Sequence, residues 1–335
     1  MKDFQPYQPF QYENTQIRLD ANESPYDYDF GGDIDFSDLT LNRYPDPNAT
    51  ELCKAFGDYY DIDPQLVTVG NGSDELISLI FGTLTDGKVC VLSSDFSMYK
   101  IYADIYDKEV ALFQKEEDFT VNIQKLIDFC KTENVKCLIF SNPCNPTSLG
   151  IKREEILQLL DNFKNSDMLI VVDEAYMDFW NESILDTHYE NVIILRTASK
   201  AFGLAGIRIG FAVASEKITK TLRAVKSPYN TNTVSQKLAE FVLRDKSYTA
   251  DIIKKILKNK QDLIVKLSQI PQKISILDSK TNFLFLPNAG RNLYEKLLKF
   301  NIITRYTSEG IRITVGTASE NELLLSAMKE LIVSR

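Results

Sequence analysis

The sequence VIILRTASKAFGLAGIRIGFAVA, residues 192–214, decides the fold of this chain. Both ends of this stretch are rich in β-branched and aliphatic residues. They predict two buried strands, one in NVIILRTAS from Asn191 and one in GIRIGFAVAS from Gly206. The loop between them consists mainly of small residues and carries Lys200 directly after hydroxyl residues. A lysine that follows a buried strand is costly unless it is paired or functional. Lys200 is therefore a candidate functional residue, with a solvated loop lysine as the alternative.

The same alternation of short apolar runs and amphipathic helices extends through the middle of the chain. It predicts strands in VTVG from Val67, KVCVL from Lys88, EVALF from Glu109, KCLIFS from Lys136 and MLIVVDE from Met168. Strands that are apolar throughout are typical of sheets covered by helices on both faces. We therefore predict an α/β fold, with a large three-layer α/β/α domain around a mainly parallel sheet.

The pattern changes after Ser215. Residues 234–267 show long helical periodicity, and SKTNFLFLP, NIITR and GIRITV predict strands that alternate with helices near 293–300 and from about 320. We predict three parts, namely an N-terminal arm at residues 1–45, a large domain at residues 46–230 and a smaller α+β domain at residues 231–335. In the alternative arrangement, the N-terminal segment joins the small domain.

Composition and charge exclude several functional classes. The chain has 335 residues and a formal net charge of −9, so a nucleic acid is not expected as a partner. It has no apolar run long enough for a membrane span and no apolar signal-peptide core, which predicts a cytoplasmic protein without a membrane partner. His188 is the only histidine and the five cysteines form no CxxC pair, so we predict no metal site and reduced thiols.

Three further motifs follow predicted strands, at the edge where open parallel sheets bind ligands. GNGSDE at residues 70–75 is a glycine-rich turn whose amides could hold a phosphate, or a generic strand-to-helix connection. SNPCNPT at residues 141–147 fixes an amide side chain in a rigid loop, or is a simple turn. VVDEAY at residues 171–176 places Asp173 at the end of a buried strand, where it could neutralise a cation or cap a helix.

In their order and spacing these motifs resemble the fold-type I pyridoxal-phosphate enzymes, and within them the histidinol-phosphate aminotransferase family. Cys144, Ser148 and Lys226 depart from the residues common in that family. The resemblance covers most of the chain and rests on LDANESPY (19–26), NRYPDP (42–47), GNGSDE (70–75), SNPCNPT (141–147), VVDEAY (171–176), RTASKAFGLAGIRIGF (196–211), SPYN (227–230), TNF (281–283) and IRITVGT (311–317).

The resemblance implies a site for pyridoxal 5'-phosphate. Lys200 would bind this cofactor as a Schiff base and act as the proton-transfer base, and Asp173 would pair with the pyridine nitrogen. Tyr176 and Asn145 would hydrogen-bond the phenolic oxygen of the ring. Phe96 would stack on the ring, with a position in the core as the alternative.

A phosphate anchor and a homodimer are also implied by the resemblance. Tyr44 would reach the cofactor phosphate of the neighbouring subunit, which requires a homodimer, whereas the alternative is an aromatic residue that caps its own domain. The phosphate donors within the chain would be the backbone amides of Gly72, Ser73 and Asp74, the hydroxyls of Ser199 and Thr197, and the guanidinium of Arg208.

The implied substrates are small anions. Family members transaminate L-histidinol phosphate with 2-oxoglutarate in histidine biosynthesis, and Arg312 and Arg305 match their substrate-anion arginines. Tyr26, Tyr229 and Asn145 are further candidate donors, and an exposed sheet-edge arginine is the alternative for Arg305. Alternative activities are decarboxylation of O-phosphothreonine or O-phosphoserine, and transamination of another small phosphorylated or aromatic substrate. A binding protein without catalysis is a last alternative, which the intact set of candidate residues disfavours.

Overall fold

The computed structural model describes residues 10, 16–30, 37, 39–270 and 274–333. The remainder of the predicted arm, residues 1–9, 11–15, 31–36 and 38, lies outside the described residues, as do residues 271–273 and 334–335 of the predicted small domain. The strands are β1 (Ile17–Arg18), β2 (Val67–Asn71), β3 (Val89–Leu92), β4 (Val110–Phe113), β5 (Cys137–Ser141), β6 (Leu169–Asp173), β7 (Val192–Thr197), β8 (Ile209–Ala214), β9 (Phe283–Pro287), β10 (Ile302–Ile303), β11 (Arg305–Thr307) and β12 (Gly310–Thr314). The α-helices are α1 (Thr50–Tyr60), α2 (Gly72–Leu79), α3 (Met98–Ile105), α4 (Ile123–Thr132), α5 (Arg153–Phe163), α6 (Glu216–Val225), α7 (Thr233–Arg244), α8 (Lys246–Ser268), α9 (Arg291–Lys299) and α10 (Ala318–Val333).

A seven-stranded sheet forms the centre of the molecule, in the order β2-β8-β7-β6-β5-β3-β4. Strands β4, β3, β5, β6 and β7 pair in parallel, whereas β8 runs antiparallel to its neighbours β7 and β2. Alternate residues of β5, β6 and β7 belong to two different buried clusters, so both faces of the sheet are apolar. Helices α1, α4, α5 and α7 contribute to one cluster, and α2, α3 and α6 to the other. The predicted three-layer α/β fold with a mainly parallel sheet is therefore confirmed.

A second, smaller unit consists of the antiparallel sheet β11-β12-β9 and helices α8, α9 and α10. Its apolar side chains form a third buried cluster, which includes Leu263, Leu297 and Met328. The N-terminal segment packs on this unit, because β1 pairs in parallel with β10 and Leu19 is buried in the third cluster. From Leu19 the chain continues to the carboxyl edge of the central sheet, where residues 21–23 line a cavity.

Two predicted elements are divided in the structure. The helical periodicity over residues 234–267 forms α7 and α8, which are separated at Asp245; the Tyr248 amide donates to its side chain and thereby begins the second helix. The predicted strand NIITR forms β10 and β11, since Ile302–Ile303 pairs with the N-terminal segment and Arg305–Thr307 pairs with β12. In the part of the chain that the structure describes, no helix has both the length and the apolar character needed to cross a membrane.

Candidate active site

The carboxyl ends of β5, β6 and β7 lie at one edge of the central sheet, because these strands are parallel. Ser141 and Asp173, the last residues of β5 and β6, are register partners. Helix α2 begins at the same edge, since β2 ends beside the start of the antiparallel strand β8. A cavity of about 380 Å³ lies here. Its lining includes these predicted site residues: Ser73, Asp74, Phe96, Asn145, Asp173, Tyr176, Thr197, Ser199, Lys200, Arg208 and Arg312.

Lys200 is half-buried in the loop after β7, where its amine reaches the cavity. Its Nζ donates a hydrogen bond of 3.0 Å to the carbonyl oxygen of Ala21, in the N-terminal segment. Burial, together with the positive charge of Arg312, lowers the pKa of Lys200 to about 8. The neutral fraction of this amine near neutral pH is therefore much larger than that of an ordinary lysine, and the neutral form is the nucleophilic and basic one.

Asp173 is a buried carboxylate without a cationic partner among the described residues; its side chain is 4% exposed. The hydroxyl of Tyr99 donates to its Oδ2 at 2.8 Å, and the Ala175 amide donates to its Oδ1 at 3.1 Å. Burial raises the pKa of Asp173 to about 6, although both hydrogen bonds lower it. The site thus holds a desolvated negative charge that a cationic ligand atom would stabilise.

Tyr176 lies three residues after Asp173 and is buried. Its hydroxyl accepts a hydrogen bond of 2.9 Å from Asn22 Nδ2. Burial raises the pKa of Tyr176 to about 12, so the hydroxyl keeps its proton at neutral pH. This side chain can therefore donate a hydrogen bond to an acceptor in the cavity.

Arg312, on β12, contributes a permanent positive charge to the cavity. Its Nη1 donates to Asn145 Oδ1, and its Nη2 donates to the carbonyl oxygen of Asp20. The guanidinium also lies over the Phe283 ring, 5.5 Å from its centroid. Asn145 itself is held by a hydrogen bond of 3.1 Å from its backbone amide to Ser141 Oγ. The small unit and the central sheet therefore meet at this arginine.

Hydroxyl, guanidinium and amide groups converge beside the first turn of α2. Thr197 Oγ1 donates to Ser199 Oγ at 3.0 Å, and Arg208 Nη1 donates to the same Ser199 oxygen at 3.4 Å. Arg208 Nη2 forms an ion pair of 3.2 Å with Asp74. Such a combination of donors at a helix N-terminus is typical of anion-binding sites.

Two glycines allow α2 to begin so close to β8. Gly72 has a φ of +73°, and its amide donates to the carbonyl oxygen of Arg208 at 2.9 Å. A side chain at Gly210 would clash with the backbone of Gly72 and Ser73. The glycine at position 210 therefore sets the distance between strand and helix.

Five predicted site residues do not line the cavity, and one of them, Gly72, directly precedes the lining residue Ser73. Tyr44 and Tyr229 are exposed and stack on each other, with ring centroids 4.2 Å apart. The hydroxyl of Tyr26 accepts a 2.9 Å hydrogen bond from Asn259 Nδ2. Arg305 lies opposite Arg312 in the β11–β12 ladder, so both side chains are on the same face of that sheet.

The structure also adds two buried residues for which the sequence analysis assigned no role. Tyr99 donates to Asp173, and Asn22 donates to Tyr176. Each lies close to a noted residue or motif, because Tyr99 is three residues after Phe96 and Asn22 is inside LDANESPY. This proximity in sequence is the only signal that could have indicated them, and it does not show that Tyr99 bonds Asp173 or that Asn22 bonds Tyr176.

A family model, "Aminotransferase class I and II", matches residues 16–328. The chain belongs to the class I and II aminotransferases. It is 39% identical to the histidinol-phosphate aminotransferase of Clostridium novyi, over 98% of this chain and 95% of that protein. It is 36% identical to the enzyme of the same name from Clostridium kluyveri, over 95% of this chain and 93% of that protein. Among solved structures, the histidinol-phosphate aminotransferase of Clostridium acetobutylicum has a TM-score of 0.88 at 24% identity, covering 95% of this chain and 100% of that one.

The cofactor of this aminotransferase is pyridoxal phosphate, and three features of the cavity fit that group. Lys200 offers an amine whose pKa is lowered to about 8, so that part of it is neutral near neutral pH. Asp173 is a buried carboxylate whose hydrogen bonds leave its charge uncompensated, which suits a protonated pyridine nitrogen. The hydroxyls and guanidinium beside α2 suit a phosphate group.

Proposed function

We propose that this aminotransferase transfers the amino group between L-histidinol phosphate and 2-oxoglutarate, giving imidazole-acetol phosphate and L-glutamate, as a step of histidine biosynthesis. The observation that carries the proposal is the convergence of Lys200, Asp173 and Arg312 on one cavity. An amine of lowered pKa, a buried carboxylate and a fixed cation are the groups that amino-group exchange between anionic substrates requires. The substrate pair is supported by the activity for which the relatives in Clostridium are named.

Pyridoxal phosphate, when bound, supplies an aldehyde for the substrate amine and an aromatic ring that withdraws electrons from the reacting carbon. Asp173 would keep the pyridine nitrogen protonated, and Tyr99 and the Ala175 amide hold that carboxylate in place. Tyr176 and Asn145 would orient the ring through its phenolic oxygen. Phe96 lines the cavity and would pack against the ring face.

The phosphate would be held by the group beside α2. Its donors would be the amides of Ser73 and Asp74, the hydroxyls of Thr197 and Ser199, and the Arg208 guanidinium. The Gly72 amide, which the sequence also offered, donates to the Arg208 carbonyl oxygen and so fixes the turn that presents these donors. In the described structure Arg208 is paired with the Asp74 carboxylate at 3.2 Å. A phosphate at this position would compete with Asp74 for that guanidinium.

Lys200 would perform the proton transfers of the reaction. In one half-reaction its neutral Nζ would take a proton from the substrate carbon that carries the amino group. In the other half-reaction its ammonium would return a proton to the corresponding carbon of the keto substrate. Burial and Arg312 keep enough of the amine unprotonated for this task. The Ala21 carbonyl oxygen accepts a 3.0 Å hydrogen bond from Nζ and holds the amine at the cavity.

Arg312 would bind the carboxylate or phosphate of the substrates, because a guanidinium presents paired donors to either anion. Its contacts with Asn145 and the Asp20 carbonyl orient it towards the cavity. Arg305 would assist from the neighbouring strand, and Tyr26 and Tyr229 are candidate donors farther out. Substitution of each of these four residues would test its contribution to substrate binding.

We further propose that the enzyme works in the cytoplasm as a homodimer, with no nucleic acid or membrane partner. Tyr44 is 79% exposed in the single chain, although its ring stacks on Tyr229. An aromatic pair in this position would become buried against a second subunit, where Tyr44 would contribute a hydroxyl to the partner's phosphate site. The net charge of −9 disfavours a polyanionic partner.

The decisive experiment adds L-histidinol phosphate to the purified, cofactor-loaded enzyme without any keto acid. We expect the absorbance of the bound cofactor to change to that of its amine form, with stoichiometric formation of imidazole-acetol phosphate, and 2-oxoglutarate to reverse the change. No response to histidinol phosphate, combined with CO₂ release from O-phosphothreonine or O-phosphoserine, would replace this proposal with decarboxylation.

The matched control compares two lysine variants. Lys200→Ala should lower turnover by a factor of roughly 10² to 10⁴, because the proton-transfer base is lost. Lys217→Ala removes an exposed lysine on α6 and should leave turnover unchanged. Equal activity in both variants would contradict the role assigned to Lys200.

A further inference from the structure

A second, smaller cavity lies beside the active site and contains a buried pair of reactive side chains. Its volume is about 170 Å³, and its lining includes Lys115, Cys144 and the exposed Glu155 at the start of α5. Ser141 lines this cavity as well as the larger one. The two cavities are therefore neighbours that share the last residue of β5 in their lining.

The pair is assembled by the strand order β5-β3-β4. Cys144 lies after β5, Ser94 after β3 and Lys115 after β4, so parallel pairing brings the three loops to one edge of the sheet. Lys115 Nζ lies 3.1 Å from Cys144 Sγ and donates to the Ser94 carbonyl oxygen at 3.1 Å. The Lys115 side chain is 3% exposed and Cys144 is 6% exposed.

Lys115 Nζ donates to Cys144 Sγ at 3.1 Å, and Sγ in turn donates to the Ser94 carbonyl oxygen at 3.4 Å, so the sulfur has a proton donor on one side and a proton acceptor on the other. Asp95 also faces this ammonium, but its nearer oxygen is 3.9 Å away, farther than the sulfur. The other thiols have different surroundings: burial raises the pKa of Cys53 to about 11 and that of Cys137 to about 12. Cys144 has both an adjacent amine and a cavity that reaches it.

We propose that Cys144 and Lys115 form a redox modification site, at which a small peroxide oxidises the thiol and the lysine nitrogen then closes a covalent S–N bond. In the first step the Cys144 thiolate attacks one peroxide oxygen, the O–O bond breaks, and the leaving hydroxide takes a proton from the Lys115 ammonium to form water. The products are a sulfenic acid and a neutral amine.

In the second step the neutral Lys115 amine attacks the sulfur of the sulfenic acid. The N–S bond forms, the S–O bond breaks, and the departing hydroxyl leaves as a second water with a proton from nitrogen. Overall the sulfur loses two electrons, and hydrogen peroxide is reduced to two molecules of water. The 3.1 Å contact means that the two atoms need little displacement to react.

The cross-link would act on the loop that carries Asn145. Cys144 directly precedes Asn145, and its amide donates to the Leu149 carbonyl oxygen at 2.7 Å. Drawing the sulfur towards Lys115 ties this loop to the segment after β4. Asn145 Oδ1 accepts a hydrogen bond from Arg312. A displacement of Cys144 would therefore move the neighbouring Asn145 and alter this contact in the active site.

The test treats the whole protein with hydrogen peroxide, blocks the remaining thiols and analyses tryptic peptides by mass spectrometry. We expect a peptide that joins Lys115 to Cys144, with a mass ~2 Da below the sum of its parts because two hydrogen atoms are lost. Trypsin should fail to cleave after Lys115, and a dithiol reductant should restore both peptides. A Cys144 that stays alkylatable, or is oxidised without a link to nitrogen, would overturn the proposal.

Three variants make the assignment specific. In Lys115→Met the sulfenic acid has no amine to react with, so dimedone should label Cys144 and no cross-link should form. Cys144→Ser should give neither product. Cys137→Ser should still form the cross-link, because residue 137 begins β5 whereas Cys144 follows the other end of that strand. A cross-link that survives in Cys144→Ser would also refute the pairing.

Discussion

Replacement of Asp173 by asparagine should stabilise the cofactor-free protein while abolishing its activity. Asp173 is 4% exposed, and burial raises its pKa to about 6 from 3.8. A folded-state pKa above the unfolded value means that this carboxyl contributes most stability below pH 3.8, and that the contribution is lost as the pH rises through about 6. The difference of about 2 pKa units corresponds to about 3 kcal/mol at pH 7.5.

Asparagine removes the charge but keeps the shape of the side chain. Its amide oxygen can accept from the Ala175 amide, and its NH₂ group can donate to the Tyr99 hydroxyl, which turns from donor to acceptor. The free energy of unfolding, measured by urea titration of the cofactor-free variant, should rise by about 3 kcal/mol at pH 7.5. At pH 4 the gain should nearly disappear, because Asp173 is then neutral in the folded wild type.

Asp178→Asn is the matched control, because Asp178 is also buried but is paired with Arg196 at 3.0 Å. That variant should lose roughly 1 to 3 kcal/mol, since Arg196 loses a charged partner. The reasoning is refuted if Asp173→Asn is no more stable than wild type at pH 7.5, or if its gain is the same at both pH values.

Two further predictions concern the amine and the phosphate group. The rate at which the cofactor-free protein incorporates pyridoxal phosphate, followed by stopped-flow absorbance, should rise with pH, reach half of its plateau near pH 8 and level off at higher pH, because only the neutral Lys200 amine reacts. Arg312→Gln removes a positive charge that lowers the pKa of Lys200, so the profile should move to higher pH, and an unchanged profile would contradict this coupling. Gly210→Ala should weaken cofactor binding at least tenfold and destabilise the protein by about 1 to 3 kcal/mol, because its methyl group would clash with the backbone at Gly72 and Ser73. Gly290→Ala, with open space around it, should change neither the dissociation constant nor the melting temperature, and equal effects of the two substitutions would rule out the steric explanation.

The central sheet is predictable because its strands carry an unambiguous signal. LIVVD in β6 and VIILRT in β7 are apolar on both faces, which leaves few structures other than a buried parallel strand. The position of Asp173 follows directly, since it is the last residue of such a strand. The division of NIITR into two strands does not follow, because it depends on the N-terminal segment as a pairing partner.

The partners of the candidate site residues are much less predictable. Tyr99 and Asp173 are 74 residues apart in sequence, and Asn22 and Tyr176 are 154 residues apart. Periodicity identifies which face of an element is buried, but it contains no information about which hydroxyl meets which carboxylate. The contact between Lys115 and Cys144 is hidden for the same reason, because it arises from the order of strands in the sheet.

The pairing of the N-terminal segment with the small unit has a consequence for how the protein is made. The backbone amide of Asn22 donates to Thr314 Oγ1, which is 292 residues away in sequence. The backbone amide of Thr314 donates to the Leu19 carbonyl oxygen. The first described strand therefore has no partner until residues 302–303 have left the ribosome. The Ala21 oxygen that holds Lys200 reaches its place with that segment, so completion of the catalytic pocket waits for the last strand to be synthesised.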